Sequence, residues 1–574
     1  FSALSGVYGI EQIPASMIER VEVMRGGGSA LFGSSAIAGT INIITKEPMR
    51  NSGMLSHTIT GIGDGDVFDN STALNASLVT DDQRAGLYIF GQNRHRSAYD
   101  HDGDGYSEIP KLHGQTIGFR SFLKTTTYSK LTFEYHHMEE FRRGGDLLNR
   151  PPHEANVAEQ TEHSINGGGL KFDYFSPNEN HRFNVFASAQ HINRDSYYGP
   201  GDRDPLDAYG NTTDLNWMAG SQYVYSFGKC IFMPSDLTAG IEFNQDKLED
   251  NMWGYNRTVD QKVNIGSAFL QNEWKNDHWG FLIGGRLDKH NLIDHVIFSP
   301  RANLRYNPTE NINLRFSYSS GFRAPQAFDE DLHVENVGGN VAMVELADNL
   351  KEERSQSLSA SADIYHRFGA FQVNFLVEGF YTKLSDVFAL TDGEVVDGIL
   401  TRTRHNASGA QVLGLTLEGK MAYLNKIQVQ AGVTLQQSHY SKPHIWNKEA
   451  PAVKKMMRTP NTYGYFTATY TPIKPLSIAL SGTYTGSMLV PHEPVPGFLE
   501  NPITVNTKDF FDIGLKAAYD FKLYKSMNLQ LNAGIQNIFN AYQDDFDKGA
   551  DRDSGYIYGP SLPRSFFAGV KISY

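Results

Sequence analysis

The chain runs to 574 residues with 12% aromatic side chains, 54 glycines, one cysteine and a formal net charge of −13. That acidic balance excludes nucleic acid as a partner and suits an outer surface of acidic loops; the lone Cys230 excludes an internal disulfide. No run reaches the ~18 consecutive apolar residues of a membrane-spanning helix, so within a membrane only a closed barrel would satisfy every backbone group.

Phe1 to Gly6 has neither the basic start nor the long apolar core of a secretory leader, and the chain is expected to be part of a longer protein. From Ile13 to Pro48 two short apolar runs, Ile18–Val23 and Thr40–Ile44, flank a stretch dense in Gly and Ser. Alternation of Ile18, Val21 and Val23 with charged neighbours predicts a half-buried strand, and Arg25-Gly26-Gly27-Gly28-Ser29 predicts a turn that uses glycine's freedom at positive φ.

From about Met54 onward, segments alternating every second residue are bounded by turn residues. In Phe511–Asp520 the odd positions are apolar and the even ones small or charged, and Phe371–Phe375, Leu529–Gln536 and Phe566–Tyr574 repeat the pattern. This is the lipid-out, lumen-in rhythm of a transmembrane strand. A soluble sandwich or propeller also alternates, but the apolar residues are spread too evenly for one shared core. A large closed barrel of ~22 strands would take roughly 24 of the residues beyond about Met54 for each strand with its loop.

The run IERVEVMRGGGSALFGSSAIAGTINIITK resembles the second half of the plug domain of TonB-dependent outer-membrane receptors. The resemblance implies an all-β membrane protein: residues 1–50 as the C-terminal part of a plug, and 51–574 as an antiparallel barrel of ~22 strands in the bacterial outer membrane. Arg20, Arg25, Gly26, Ser29, Gly33 and Gly39 are then the plug-motif residues. It also implies an upstream signal peptide, energy-coupling segment and first half of the plug. The implied partners are the TonB–ExbB–ExbD complex, the surrounding lipid and a surface lipoprotein lid.

Among the polar stretches, Tyr99-Asp100-His101-Asp102-Gly103-Asp104-Gly105-Tyr106-Ser107-Glu108 carries the clearest chemistry. Aspartates at alternate positions before a glycine match the first half of an EF-hand-type loop, where carboxylates wrap a hard cation such as calcium. The twelfth position is Lys111 rather than glutamate, so a second loop is needed to complete the shell; Asp202, Asp204 and Asp207 present carboxylates for it. An Asp-rich calcium loop early in the barrel is similar to that of cobalamin transporters of the superfamily. The runs Asp100–Glu108, Arg194–Gly199 and Phe141–Gly145 are also similar to those of Bacteroidetes receptors.

Gly321-Phe322-Arg323-Ala324-Pro325, followed by Ala347-Asp348-Asn349-Leu350, resembles the FRAP and NPNL boxes of haem and other metal-chelate receptors, with the second box departing from its pattern. In a haem receptor a histidine between the boxes ligates iron, and His333 stands there. Tyr197, Tyr198, Tyr209 and Trp217 are candidates to stack over a flat macrocycle.

The sequence holds no Gly-x-Ser-x-Gly elbow, no His-Glu-x-x-His and no phosphate loop, so no enzyme is expected. The expected function is TonB-dependent uptake of a scarce metal chelate, first cobalamin or another corrinoid, then haem or a ferric siderophore. A passive porin or a docking barrel for a surface lipoprotein is the reading of another class.

Overall fold

The computed structural model describes residues 13–34, 36–37, 39–200, 204–253, 257–325, 341–396 and 399–574. Twenty-two strands form one closed barrel, with the three-residue Val453–Lys455 appended to its edge. Neighbouring barrel strands are antiparallel, and the last, Ser565–Ser573, closes on the first, Ser52–Ile62, with Met54 opposite Ser573 and Ile62 opposite Ser565. Strand length reaches 22 residues in Tyr209–Cys230, about twice the ~9–11 needed to cross a bilayer, so parts of the wall stand clear of the membrane.

The predicted alternation is observed. Phe511, Leu515, Tyr519, Phe566, Val570 and Ile572 are all exposed on the outer face, as are Ile241, Ile283 and Leu413. Where water is absent, an outward isoleucine costs nothing and an unpaired backbone group costs several kcal/mol; the closed ladder meets both conditions. Tight turns such as 231–232 and 525–526 close one end, while connections such as 146–156, 386–409 and 537–564 rise from the other. No helix among the described residues is long and apolar enough to cross a membrane.

In the lumen, β1 (Ile18–Arg25) and β2 (Gly39–Thr45) pair antiparallel, with Val21 opposite Ile43. The expectation of a half-buried strand is not met: Val21 is 51% and Val23 67% exposed. A two-stranded ribbon has no second layer of its own, and among the described residues no other strand pairs with β1 and β2. The ribbon is secured at its ends. Gly26 takes φ +80°, and a Cβ on Gly27 would lie 2.8 Å from the backbone nitrogen of Gly321, so the chain here can lie directly on the barrel wall.

That stretch of wall is built from small residues. Gly27 N–H donates to Ser357 Oγ at 3.1 Å, Ser355 Oγ donates to the carbonyl of Ile37, and Phe322 N–H donates to Ser29 Oγ at 3.0 Å. Ser29 is fully buried and opens the short helical turn Ser29–Phe32. Arg25 reaches Glu378 at 2.6 Å and Glu418 at 3.1 Å on two neighbouring barrel strands. Gly33, at φ +76°, lies over the guanidinium of Arg286, which is itself held by Glu242 and Asp288. A lighter set of ties holds the far side: Tyr88 OH donates to Ser16 O at 3.0 Å, and Glu47 meets Arg120 at 3.1 Å and Lys130 at 3.2 Å. Of the other motif residues, Arg20 pairs with Glu22 along its own strand at 2.7 Å, and Gly39 passes close beneath the carbonyl of Met24.

Candidate functional site

Tyr99 and Ile109 bridge across the base of the acidic loop and hold its two ends together. Within it Asp100 accepts from Gly103 N–H and Gly105 N–H, each at 2.8 Å, which is possible because both glycines take positive φ, +74° and +93°. Glu108 folds back to accept from His101 N–H at 2.6 Å. The result brings carboxylate oxygens of Asp100, Asp102 and Glu108 within 4.8 Å of one another. Asp102 Oδ2 is buried without a hydrogen-bond partner. Oxygens so spaced can share one ion at the 2.3–2.6 Å that calcium prefers, so these residues fit a hard cation.

Asp104 departs from its expected place in that set. It turns outward to accept from Tyr106 N–H at 2.8 Å, from Gly549 N–H at 2.8 Å and from the guanidinium of Arg552 at 2.5 Å. Burial alone would raise its pKa, but these N–H donors and the guanidinium outweigh it and hold the carboxyl below the ordinary aspartate range. The tie is therefore at full strength at neutral pH and is lost only as pH falls through that depressed value. Glu108 goes the other way: burial pushes its carboxyl up, against the His101 N–H and Arg552.

The second half of the site is a stretch that the sequence reading did not single out. Between the last two barrel strands, Tyr542 to Tyr558 is dense in aspartate and aromatic residues, and this composition was the available signal. Arg552 spans Asp104 and Glu108, the latter at 2.8 Å, and stacks over the Tyr106 ring at 4.8 Å. His101 packs against Tyr542 at 4.9 Å and Phe546 at 5.9 Å, and Lys548 lies 3.6 Å from Asp102. The stretch is also pinned from behind: His492 stacks on Tyr556 at 3.8 Å and meets Asp547 at 2.9 Å, while Asp545 accepts from the hydroxyls of both Tyr556 and Tyr558. Between this stretch and the wall lies a cleft of about 260 Å³.

Arg552→Gln is expected to leave Glu108, whose side chain is 2% exposed, as a buried carboxylate without its counter-ion. Breaking such a pair costs about 2–3 kcal/mol of local stability once partial exposure of Arg552 is discounted. Protease nicking within 541–553 should then rise roughly 30- to 150-fold; cleavage at the wild-type rate would show that Arg552 does not hold the loop.

Of the other predicted residues, the described ones do not join this site. Asp204 caps the turn Pro205–Ala208 by accepting from Leu206 N–H at 3.1 Å, and the described segment that meets the acidic loop is 541–553. Asp202 and His333 lie outside the described residues, as does the side chain of Asp207. Tyr197 and Tyr198 are each 1% exposed and cannot offer a ring face to a ligand; Tyr197 packs with Ala155, Ala158 and Ala208 because the wall and the adjoining loop close over it. Tyr209 is tied by its hydroxyl to His153 Nδ1 at 2.8 Å and packs edge-on to Tyr197. Trp217 shares the outer face with Leu215 and packs on Phe243 at 5.2 Å, since strand alternation turns odd positions of Tyr209–Cys230 away from the lumen.

The FRAP box has a supporting role in the wall. Phe322 and Ala324 are buried, and Arg323 pairs with Glu353 at 2.7 Å beneath the Phe388 ring.

The barrel residues 53–538 match the family described as TonB dependent receptor-like, beta-barrel, and residues 2–40 match the TonB-dependent Receptor Plug Domain. The chain is 26% identical over 353 residues to the Iron-regulated outer membrane virulence protein of Vibrio cholerae, covering 58% of this chain and 49% of that one. It is 23% identical over 341 residues to the Vitamin B12 transporter BtuB of Vibrio vulnificus, covering 57% and 51%. It thus spans about half the length of these curated relatives. In fold it resembles the siderophore receptor PirA from Acinetobacter baumannii, with a TM-score of 0.77 at 17% identity over 98% of this chain and 86% of that one. A mutant of the ferric enterobactin receptor PfeA from Pseudomonas aeruginosa, in complex with enterobactin, gives 0.77 at 16%, over 98% and 87%. With a 22-strand closed wall, a ribbon latched in its lumen and matches to both family parts, the chain belongs to the TonB-dependent receptors and is an outer-membrane β-barrel.

Proposed function

We propose that this protein takes up a scarce metal chelate across the outer membrane, a corrinoid such as cobalamin in the first place, in steps driven by TonB with ExbB and ExbD. The observation that carries the reading is the latched lumen segment. A passive porin has no use for a ribbon tied to the wall through Arg25, Gly27 and Ser29, whereas an energised receptor needs one. A site tight enough for a nutrient at nanomolar supply cannot also empty by itself, and an external pull on the plug reconciles the two demands. Loss of the energy-coupling partner should abolish uptake; a porin or a docking barrel would be indifferent to it.

The corrinoid preference is supported by the acidic loop and by the relative named a vitamin B12 transporter. In this reading Asp100, Asp102 and Glu108 hold calcium, and the bound ion stiffens the mouth together with Asp104 and Arg552. Removing calcium is expected to weaken ligand binding because the three carboxylates would then repel one another. A calorimetric and visible-absorbance titration of the detergent-solubilised protein with cyanocobalamin, with calcium and again with chelator, tests both halves. Binding weakened at least tenfold by chelator supports calcium and corrinoid together. No binding in either buffer overturns the corrinoid reading and moves the assignment to iron chelates or haem, the direction given by the iron-regulated relative, with His333 to be replaced next.

A further inference from the structure

Ala85–Arg96 and Ser107–Thr126, the two barrel strands that carry the acidic loop between them, hold a second set of metal-ligating groups on their outer face. Their ladder sets His95 directly opposite His113, between the pairs Arg94–Gly114 and Arg96–Leu112. Arg96 and Leu112 are buried, and alternation turns both imidazoles the other way, outward, where they are exposed. Down the same face of the two strands follow Ile89 and Ile117, outward apolar residues of the membrane band, so the pair stands on its rim side. The two rings meet at 5.7 Å between centres, with their planes 78° apart. Imidazole nitrogen binds zinc at about 2.0–2.1 Å, which puts a ring centre roughly 3.2 Å from the ion; two rings that share one ion at angles of about 90–120° then have centres roughly 4.5–5.5 Å apart. The observed separation lies just outside that range, a difference that a small side-chain rotation closes.

From this we infer that His95 and His113 form a chelating pair for a borderline divalent ion, zinc or copper(II), separate from the hard-cation loop that begins at Asp100 on the same hairpin. Imidazole is a ligand such ions take readily, whereas calcium takes oxygen. Directly paired positions on antiparallel strands are held at a fixed spacing by the ladder, so the two donors are placed before an ion arrives. Little competes for their nitrogens. Gln115 Nε2 lies 3.4 Å from His113 Nε2, longer than an ordinary hydrogen bond. Lys111, on the same face, is drawn over the Phe141 ring at 5.9 Å, and Phe141 stands opposite His113 on the strand away from His95. Two protein ligands leave coordination positions open, so a bound ion keeps room for water or for a donor atom of an outside molecule. The inference goes beyond the uptake reading and does not depend on which chelate the receptor carries.

The test uses copper(II) presented as its iminodiacetate complex, which leaves few coordination positions open and so selects paired imidazoles over single ones. The untagged, detergent-solubilised full chain carries D100N/D102N so that the acidic loop is not counted, and bound copper is followed by electron paramagnetic resonance. We expect one saturable site whose spin-echo modulation reports two imidazoles, from which zinc displaces the copper and calcium does not. His95→Ala and His113→Ala should each weaken binding at least tenfold, while His191→Ala, which removes another outward histidine, should leave it unchanged. Circular dichroism checks strand content, and if an alanine variant does not fold, His95→Asn or His113→Asn decides. A change below tenfold in either folded variant, an equal loss in His191→Ala, a single-imidazole signal, displacement by calcium or none by zinc overturns the inference. The cyanocobalamin titration is independent of this one: its failure leaves the imidazole site standing, and failure of the copper test leaves the corrinoid reading standing.

Discussion

Alanine at Gly321 is expected to unseat the lumen ribbon while leaving the barrel closed. A Cβ there would overlap the carbonyl oxygen of Ala36 and stand 2.9 Å from Ser355 Oγ, and the converse change, Gly27→Ala, would press on Gly321 N at 2.8 Å. In both cases an obstructing atom is backbone, on one side part of a strand hydrogen-bonded to both neighbours, so no rotamer change can relieve the clash. Overpacking of this kind costs about 1–3 kcal/mol. Amide exchange of Ile18–Arg25 and Gly39–Thr45 should accelerate by roughly 5- to 150-fold in either variant, with exchange in Ser52–Ile62 and Ser565–Ser573 unchanged. Equal protection of the ribbon in mutant and wild type would mean that close backbone contact is not what seats it.

Removing the charge at Arg25 should also loosen the ribbon, for a different reason. Glu378 and Glu418 are 16% and 13% exposed on neighbouring strands, and Arg25, at 45%, is the cation both of them meet. Arg25→Ala leaves two carboxylates facing each other in a partly dry lumen. Because the guanidinium keeps nearly half its contact with water, we set the cost at about 1–2 kcal/mol, well below that of a fully buried pair. Exchange of the ribbon would rise roughly 5- to 30-fold. The triple variant R25A/E378Q/E418Q should recover part of that loss, since the repulsion goes with the charges. If the triple variant is no more stable than R25A, Arg25 acts through packing of its stem and not through charge.

Most of the barrel was legible in the sequence because a membrane wall obeys a two-residue rule with few exceptions. The outward set Phe566, Ala568, Val570, Ile572 and Tyr574 follows from alternation alone, and the same count places Phe371, Val373 and Phe375. The acidic loop was readable for a similar reason, since its aspartates and glycines fold through bonds within ten residues. What did not follow is anything that depends on distant chain segments meeting. Asp104 looks like its neighbours in sequence, yet Arg552, more than four hundred positions away, takes it out of the cation set. The exposure of Val21 and Val23 depends on what lies over a ribbon, which local periodicity does not encode. Tyr197 and Tyr198 read as loop aromatics because the wall extends above the membrane further than a spanning strand requires. Trp217, offered with them as a stacking aromatic, sits within a barrel strand instead, on the face that alternation turns away from the lumen.

The pairing of Ser565–Ser573 with Ser52–Ile62 carries a consequence for how the molecule is made. The ring has no closed intermediate: until Ser565–Ser573 is in place, both Ser52–Ile62 and Met527–Gln536 present bare amide and carbonyl rows. Contacts between positions about 500 residues apart must then form last, after every local hairpin is available. A deletion of Ser565–Ser573 alone would therefore do more damage than a far larger deletion in the rim loops. It would leave two sticky seams on a chain that is otherwise able to fold, and the expected fate of such a product is clumping before it reaches the membrane.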